Sequence, residues 1–374
     1  MRFAQRSRSR IPSSKLLLRG WLVRLSLLAA MFALATCLCP VVSSSADSSP
    51  RGGPTGPSAK QLASSSECTW SACHSVLEQV KAGADVTAVP SNLIPSLQTA
   101  TADIRFPANL RLCGANGTLV QDLGGYCFLV NATATGRLPV RHLRDGPPRR
   151  HHARGRHLAP RIALLGDSHS EMWSRAIAGI AAQQGDPMLL LTKYCSMSMV
   201  GFWNPLTSTP FTSCTTWKQA AVQRLNQFNP SLVIVTTGDV SPLTDTDRPM
   251  SQQEFSDGLA TTLRDVSAPG RRVILLGDIG YPVKTPPFCL AAHETNVRAC
   301  DTPTSVAVRA PNQAAEAAAA KAAGAQYIDV IPWLCTKTTC PAIIDGIEVY
   351  ENLSHITSTY GEHLEPVLTQ ALGL

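Results

Sequence analysis

The chain has 374 residues, of which 44% are hydrophobic and 16% charged. These values exclude a disordered polypeptide and leave room for one large domain or two small ones with a substantial core. The formal charge of +7 is concentrated: residues 1–24 carry seven Lys/Arg and no acid, and residues 137–161 carry eight Arg against one Asp, so the remainder is net acidic by about 7. Both basic stretches fall outside the expected core, which argues against nucleic acid as a partner.

In chain order, residues 1–24 read as a basic cytoplasmic tail. Residues 25–42 form an uncharged apolar run, either the core of a signal peptide or a single membrane anchor. The long basic lead-in favours the anchor, although the Val-Ser-Ser-Ser-Ala stretch that follows could be cut. The flanking charge sends the rest of the chain across the membrane, and no second span is visible. Residues 43–67 are rich in Ser, Gly and Pro and read as a linker. Residues 68–136 read as an N-terminal extension packed on the following domain, with a helix near His74–Ala82 and a turn-rich part. Residues 137–160 form an Arg/His/Pro-rich loop that could hold an anionic polymer or lipid headgroups. Its His151, His152 and His157 are expected to be solvated.

From Arg161 the pattern becomes regular. Strands are predicted at Ile162–Leu165, Met188–Thr192, Leu232–Thr237, Val273–Leu276 and Tyr327–Ile331. Helices are predicted at Glu171–Gln184, Trp217–Phe228, the segment opened by the capping box Ser251-Gln252-Gln253-Glu254, and Pro311–Ala323 before Gly324. Alternation of this kind gives a three-layer α/β/α domain over residues 161–374, with a five-stranded, mainly parallel sheet. Ligands of such sheets sit beyond the carboxyl ends of the strands. Gly166-Asp167-Ser168-His169 lies at such an end, where a sharp strand-to-helix turn offers a serine hydroxyl and helix-start N–H groups to an oxyanion.

There are twelve cysteines. Cys37 and Cys39 lie in the apolar run. The others fall into neighbouring pairs, Cys68/Cys73, Cys113/Cys127, Cys195/Cys214, Cys289/Cys300 and Cys335/Cys340, which after an export signal read as disulfides rather than zinc ligands. Sequence does not fix their connectivity.

Near the C-terminus the run Tyr350-Glu351-Asn352-Leu353-Ser354-His355-Ile356-Thr357 resembles the Asp-x-x-His block that closes SGNH hydrolases and acyltransferases, with Gly166-Asp167-Ser168 as the upstream block. Thr192-Lys193-Tyr194-Cys195, Cys214 and Trp217 narrow the resemblance. Over roughly residues 85–374 the chain resembles the C-terminal SGNH domain of acyltransferase-3-type membrane proteins, which O-acylate surface glycans. The resemblance implies a flavodoxin-like fold and a triad of Ser168 as nucleophile, His355 as base and Asn352 as orienter, with Asn standing where the family has Asp. Glu351 is the nearest carboxylate, but an extended backbone would point it the other way. The family's oxyanion Asn has no counterpart at Thr236-Thr237-Gly238-Asp239. Candidate oxyanion or substrate-binding groups are therefore the Ser168 N–H, Gly201, Gly238 and Asp239. Asp167 is expected to brace the turn, His169 to wall the pocket or serve structure, and Trp173 and Trp217 to lie in the core.

The implied function is acyl transfer to a cell-envelope glycan through an acyl-serine, with no metal or other cofactor. The multi-span acyltransferase domain would then be a separate partner, and the catalytic domain extracytoplasmic, held at the cell membrane or secreted. An esterase of the same fold is one alternative. A non-catalytic, membrane-tethered glycan-binding or scaffold protein is the other.

Overall fold

The computed structural model describes residues 70–108, 110–113, 124–131, 160–204, 207–238 and 244–374. The apolar run 25–42, the linker, the basic loop up to residue 159, Cys37, Cys39, Cys68 and Asp239 lie outside the described residues. Among the described residues no helix is long and apolar enough to cross a membrane.

The sheet contains β1 (Leu110–Leu112), β2 (Tyr126–Val130), β3 (Ile162–Gly166), β4 (Met188–Thr192), β5 (Leu232–Val235), β6 (Arg272–Leu276) and β7 (Gln326–Ile328). Their order is β1-β2-β4-β3-β5-β6-β7. The last five are mutually parallel. Along them, β4-β3-β5-β6-β7, the chain order is 2-1-3-4-5, the doubly wound arrangement with its switch point beside the first strand. These are the five strands expected from sequence.

Two findings depart from that expectation. First, β1 and β2 extend the sheet by two antiparallel strands, giving seven. β1 has only three residues, both strands are partly exposed, and the Cys113–Cys127 disulfide ties the end of β1 to β2. Second, β5 stops at Val235 rather than Thr237, and β7 at Ile328 rather than Ile331. The Asp329 carboxylate accepts the Ile331 N–H at 2.9 Å, which turns the backbone, and Pro332 then sits in a 3₁₀ turn over Ile331–Trp333.

The central strands are apolar on both faces because both faces are covered. One face meets α1 (Ser71–Gly83), α2 (Ser168–Gln183) and the C-terminal helices. Ile162, Leu164, Met188, Leu190 and Ile234 pack there with Trp173, Ile177, Tyr360 and Leu368. The other face carries Ala163, Leu165, Leu189, Leu191, Val233 and Val235. These pack against Trp217 and Leu225 of α3 (Thr212–Phe228), Leu259 and Leu263 of α4 (Gln252–Asp265), and Ala315 and Ala319 of α5 (Ala310–Ala323). Trp173 and Trp217 are fully buried core residues. The expected capping box opens α4: Ser251 Oγ accepts the Glu254 N–H and Glu254 Oε2 accepts the Ser251 N–H. Gly324 closes α5 at φ +68°, a conformation that suits glycine.

Four of the expected cysteine pairs are disulfides: Cys113–Cys127, Cys195–Cys214, Cys289–Cys300 and Cys335–Cys340. Cys73 is also disulfide-bonded.

Candidate active site

The turn after β3 is built by close packing. A Cβ on Gly166 would come within 2.2 Å of Thr236 Oγ1 and 2.8 Å of Ser170 Cβ, so only glycine lets the strand enter α2 at this angle. Asp167 caps the helix. Its Oδ1 accepts the His169 N–H at 2.9 Å, and its carbonyl accepts the Ser170 N–H at 2.9 Å. Its Oδ2 accepts the Gly238 N–H at 2.6 Å, which ties the end of β5 to the same turn. Burial pushes the Asp167 carboxyl up, and His169 and the two backbone donors draw it back. Ser168, half-buried, is therefore the first residue of α2, where a backbone N–H has no partner within the helix.

His355 arrives from the other end of the chain on a tight loop. A bridge between Tyr350 and Ile356 closes that loop, and the Glu351 N–H donates to the His355 carbonyl at 3.0 Å. Thr357 then caps α6 (Ser358–His363), accepting the Tyr360 N–H at 3.1 Å, and the Tyr360 hydroxyl anchors to the Trp333 carbonyl at 2.6 Å. The last helix, α7 (Glu365–Leu372), packs against α2. The loop is thus fixed by the core and not by its own short sequence.

The two ends meet. Ser168 Oγ lies 2.8 Å from His355 Nε2, and His355 Nδ1 lies 3.0 Å from Asn352 Oδ1. Asn352 Oδ1 also accepts the Ser354 N–H at 2.9 Å, and this identifies it as the carbonyl oxygen of the amide. An acceptor facing Nδ1 places the imidazole proton there and leaves the Nε2 lone pair facing the serine. Burial, assisted by His169, pushes the His355 imidazole down to about 4, so at neutral pH it is an unprotonated base. A hydroxyl, a neutral imidazole and an orienting acceptor in line are the parts needed for nucleophilic acyl chemistry.

Other expected residues stand differently. The Gly238 N–H, offered from sequence as an oxyanion donor, is already committed to Asp167. Gly238 serves packing instead: a Cβ there would come within 2.7 Å of His169 Nε2. Gly201 is held against Asp245, whose N–H donates to the Gly201 carbonyl at 3.1 Å. Among the described residues nothing ties Gly201 to the Ser168–His355 pair. Of the candidate oxyanion donors, the Ser168 N–H is the one that the helix start leaves without a partner inside the helix. Glu351 is turned from the triad, accepting a hydrogen bond from the Ile104 backbone, and burial pushes its carboxyl up to about 7.

Sequence reasoning passed over one residue and one pairing. Thr192 Oγ1, at the end of β4, lies 3.0 Å from the Asp167 carbonyl and 3.2 Å from Glu171 Oε1, bracing the Ser168 turn. Gly277-Asp278 is expected from sequence at a carboxyl strand end, and Asp278 does follow β6 there, but its approach to His169 Nδ1 at 2.7 Å is not foreseen. Among the described residues no cluster of His, Cys, Asp and Glu could hold a metal ion.

A family model described as an SGNH domain (fused to AT3 domains) matches residues 135–370. The chain belongs to this family. It is an SGNH-type acyltransferase or esterase. No curated protein matches its sequence. The periplasmic domain of a lipopolysaccharide acetyltransferase from Salmonella ser. Paratyphi A is similar in structure, with a TM-score of 0.45 and 12% identity over 57% of this chain and 84% of that one.

Proposed function

We propose that this SGNH domain is an extracytoplasmic O-acyltransferase that places an acetyl-type acyl group on a cell-envelope glycan through an acyl-serine at Ser168. The alignment of Ser168 Oγ, His355 Nε2 and Asn352 Oδ1 at 2.8 and 3.0 Å carries this reading. Ser168 Oγ attacks the carbonyl carbon of the acyl donor while its proton passes to His355 Nε2. The oxyanion forms in front of the Ser168 N–H and the positive end of α2. Collapse breaks the bond between acyl carbon and leaving group, and His355 returns the proton to the departing group. A sugar hydroxyl then attacks the acyl-serine, gives its proton to His355, and leaves as the ester while Ser168 Oγ takes the proton back. The scheme uses no metal or cofactor.

The family's fusion to acyltransferase-3 domains supports a multi-span membrane protein as the source of acyl groups. The disulfides and the apolar run 25–42 support an oxidising compartment and a membrane tether. The Asn352 contacts weigh against a non-catalytic binding role, because they give His355 the tautomer that a base needs.

Incubation with an acyl-ester donor and envelope polysaccharide, followed by mass spectrometry of the polysaccharide, tests the reading. Acyl groups on the glycan, lost in Ser168→Ala, are the expected result. Free acid alone would make the enzyme an esterase. A correctly folded wild type that fails to label with a fluorophosphonate would leave the binding role.

A further inference from the structure

A second imidazole stands beside the catalytic one. His169 directly follows the nucleophile and is only 2% exposed. Its ring centroid lies 5.1 Å from that of His355. Its Nδ1 lies 2.7 Å from Asp278 Oδ1, and Asp278 is also buried. Asp278 is held in turn: the Ile279 N–H donates to Oδ1 at 2.8 Å and the Tyr281 hydroxyl to Oδ2 at 2.5 Å. The Arg309 guanidinium lies over the Tyr281 ring at 4.2 Å. A buried carboxylate that receives these donors and lies 2.7 Å from an imidazole nitrogen is close enough for a charge-assisted pair.

Resting on the acyl-serine reading, we propose that His169 is a positioning residue: clamped by Asp278 as an imidazolium, it fixes a positive charge beside the His355 ring and keeps that ring unprotonated until the Ser168 proton arrives. The arrangement acts in the same direction as the absence of a carboxylate at position 352. In an aspartate-containing triad the carboxylate favours the protonated base. Here the orienter is neutral, and the nearest charged pair sits behind the neighbouring imidazole.

The other charged groups around the two rings agree with this assignment. Burial is the largest influence lowering His355, His169 acts in the same direction, and Asp278 opposes it more weakly. Asp167 faces His169 from the nucleophile turn and is stabilised as an anion by it. Glu171, one turn along α2, is engaged by Thr192. Glu316 of α5 accepts the Asp278 N–H at 3.2 Å and lies behind the pair. Glu351, on the loop of His355 itself, is directed to the Ile104 backbone.

The test combines NMR titration of histidine-¹⁵N-labelled protein with the pH dependence of fluorophosphonate labelling of Ser168, in wild type, His169→Gln and Asp278→Asn. In the wild type at neutral pH, His169 is expected to show two protonated nitrogens and His355 one. Both variants remove the positive charge, so both should move the His355 titration and the acid limb of labelling upward together, by about one unit in His169→Gln, where the Asp278 carboxylate stays, and by less in Asp278→Asn, where it goes as well. A wild-type His169 with a single protonated nitrogen overturns the proposal without need of any variant. So does a downward shift in Asp278→Asn, which would mean that His355 feels the carboxylate alone. Labelling that falls equally at every pH, with the limb unmoved, would give His169 a packing role and also overturn it. If the wild type does not label but the His355 titration shifts as described, the charge assignment holds and the acyl-serine reading fails.

Discussion

The two imidazoles at the carboxyl edge of the sheet are nearest neighbours held in opposite ways. His355 is half-buried, faces a serine, and has its far nitrogen on the amide oxygen of Asn352. His169 is fully buried and has its Nδ1 on the carboxylate of Asp278. An amide can orient a ring but cannot neutralise its cation, whereas a carboxylate does both. An aspartate in a triad both orients the base and neutralises its cation; here Asn352 only orients His355, and the neighbouring His169–Asp278 pair opposes the cation rather than neutralising it.

The largest effects should come from breaking the His355 side outright. Ser168→Ala removes the nucleophile and His355→Ala the base, and each should lower turnover of an acyl ester by at least about 10³-fold. Fluorophosphonate labelling should vanish in Ser168→Ala and fall steeply in His355→Ala. Retention of turnover in either folded variant would unseat the comparison, since the ring called catalytic would then have no chemistry to do.

Asn352→Ala comes next. It leaves His355 Nδ1 facing only Ser354 Oγ, 3.1 Å away, and frees the ring to turn or change tautomer. A loss on the order of 10²-fold in kcat is expected, smaller than for His355→Ala because the base remains. Steady-state kinetics of the two variants side by side measure orientation separately from proton transfer.

Asn352→Asp sharpens the contrast further, and its effect lies in the pH profile. An anion beside Nδ1 favours the protonated ring, so the His355 value must rise from about 4. The wild type should keep its kcat/KM from neutral pH down to the region of that value. The variant should lose activity at a pH about one unit or more higher, while near neutrality its rate equals or exceeds the wild type. A profile of kcat/KM across the acid range decides it, and an unmoved limb would show that charge at position 352 does not reach the base.

The two sides of the comparison differ as much in legibility as in chemistry. Four of the five parallel strands are readable because each is mostly an apolar run buried on both faces, and the fifth, Gln326–Ile328, because it follows an alanine-rich helix closed by Gly324. The Ser168 turn is readable because Gly166 and Asp167 have local reasons to be there. His355 is findable through the resemblance of its block to a family pattern, which supplies a long-range pairing that no local signal holds. The Asp278–His169 pair has no such aid. The two residues come from different strand ends, and only the ordering β3-β5-β6 brings those ends close together. The added antiparallel strands β1 and β2 are hidden for a related reason: Leu110–Leu112 is too short for periodicity, and its strand character depends on pairing with β2. The commitment of the Gly238 N–H to Asp167 is likewise invisible in the sequence, because a glycine at a strand end reads the same whether its amide is free or taken.

The smallest effect on activity belongs to Glu351, the carboxylate that stands next to Asn352 in sequence. Its carboxyl points to the Ile104 backbone and not to His355, so Glu351→Gln should change kcat by no more than about twofold and leave the acid limb in place. Its consequence is for stability. The folded value is raised to about 7 from an ordinary 4.5 by burial, so the folded chain keeps a proton that the unfolded chain gives up. The stabilising contribution is therefore full below pH 4.5 and is lost as pH rises through 7. Glutamine stays neutral and can still accept the Ile104 N–H, so the variant should be more stable than the wild type at pH 8, by on the order of 1 kcal/mol, and nearly equal to it at pH 4.5. Urea unfolding at the two pH values measures the difference. A variant that instead moved the acid limb of catalysis would make Glu351 a partner of His355, and the division of labour between Asn352 and the His169–Asp278 pair would have to be redrawn.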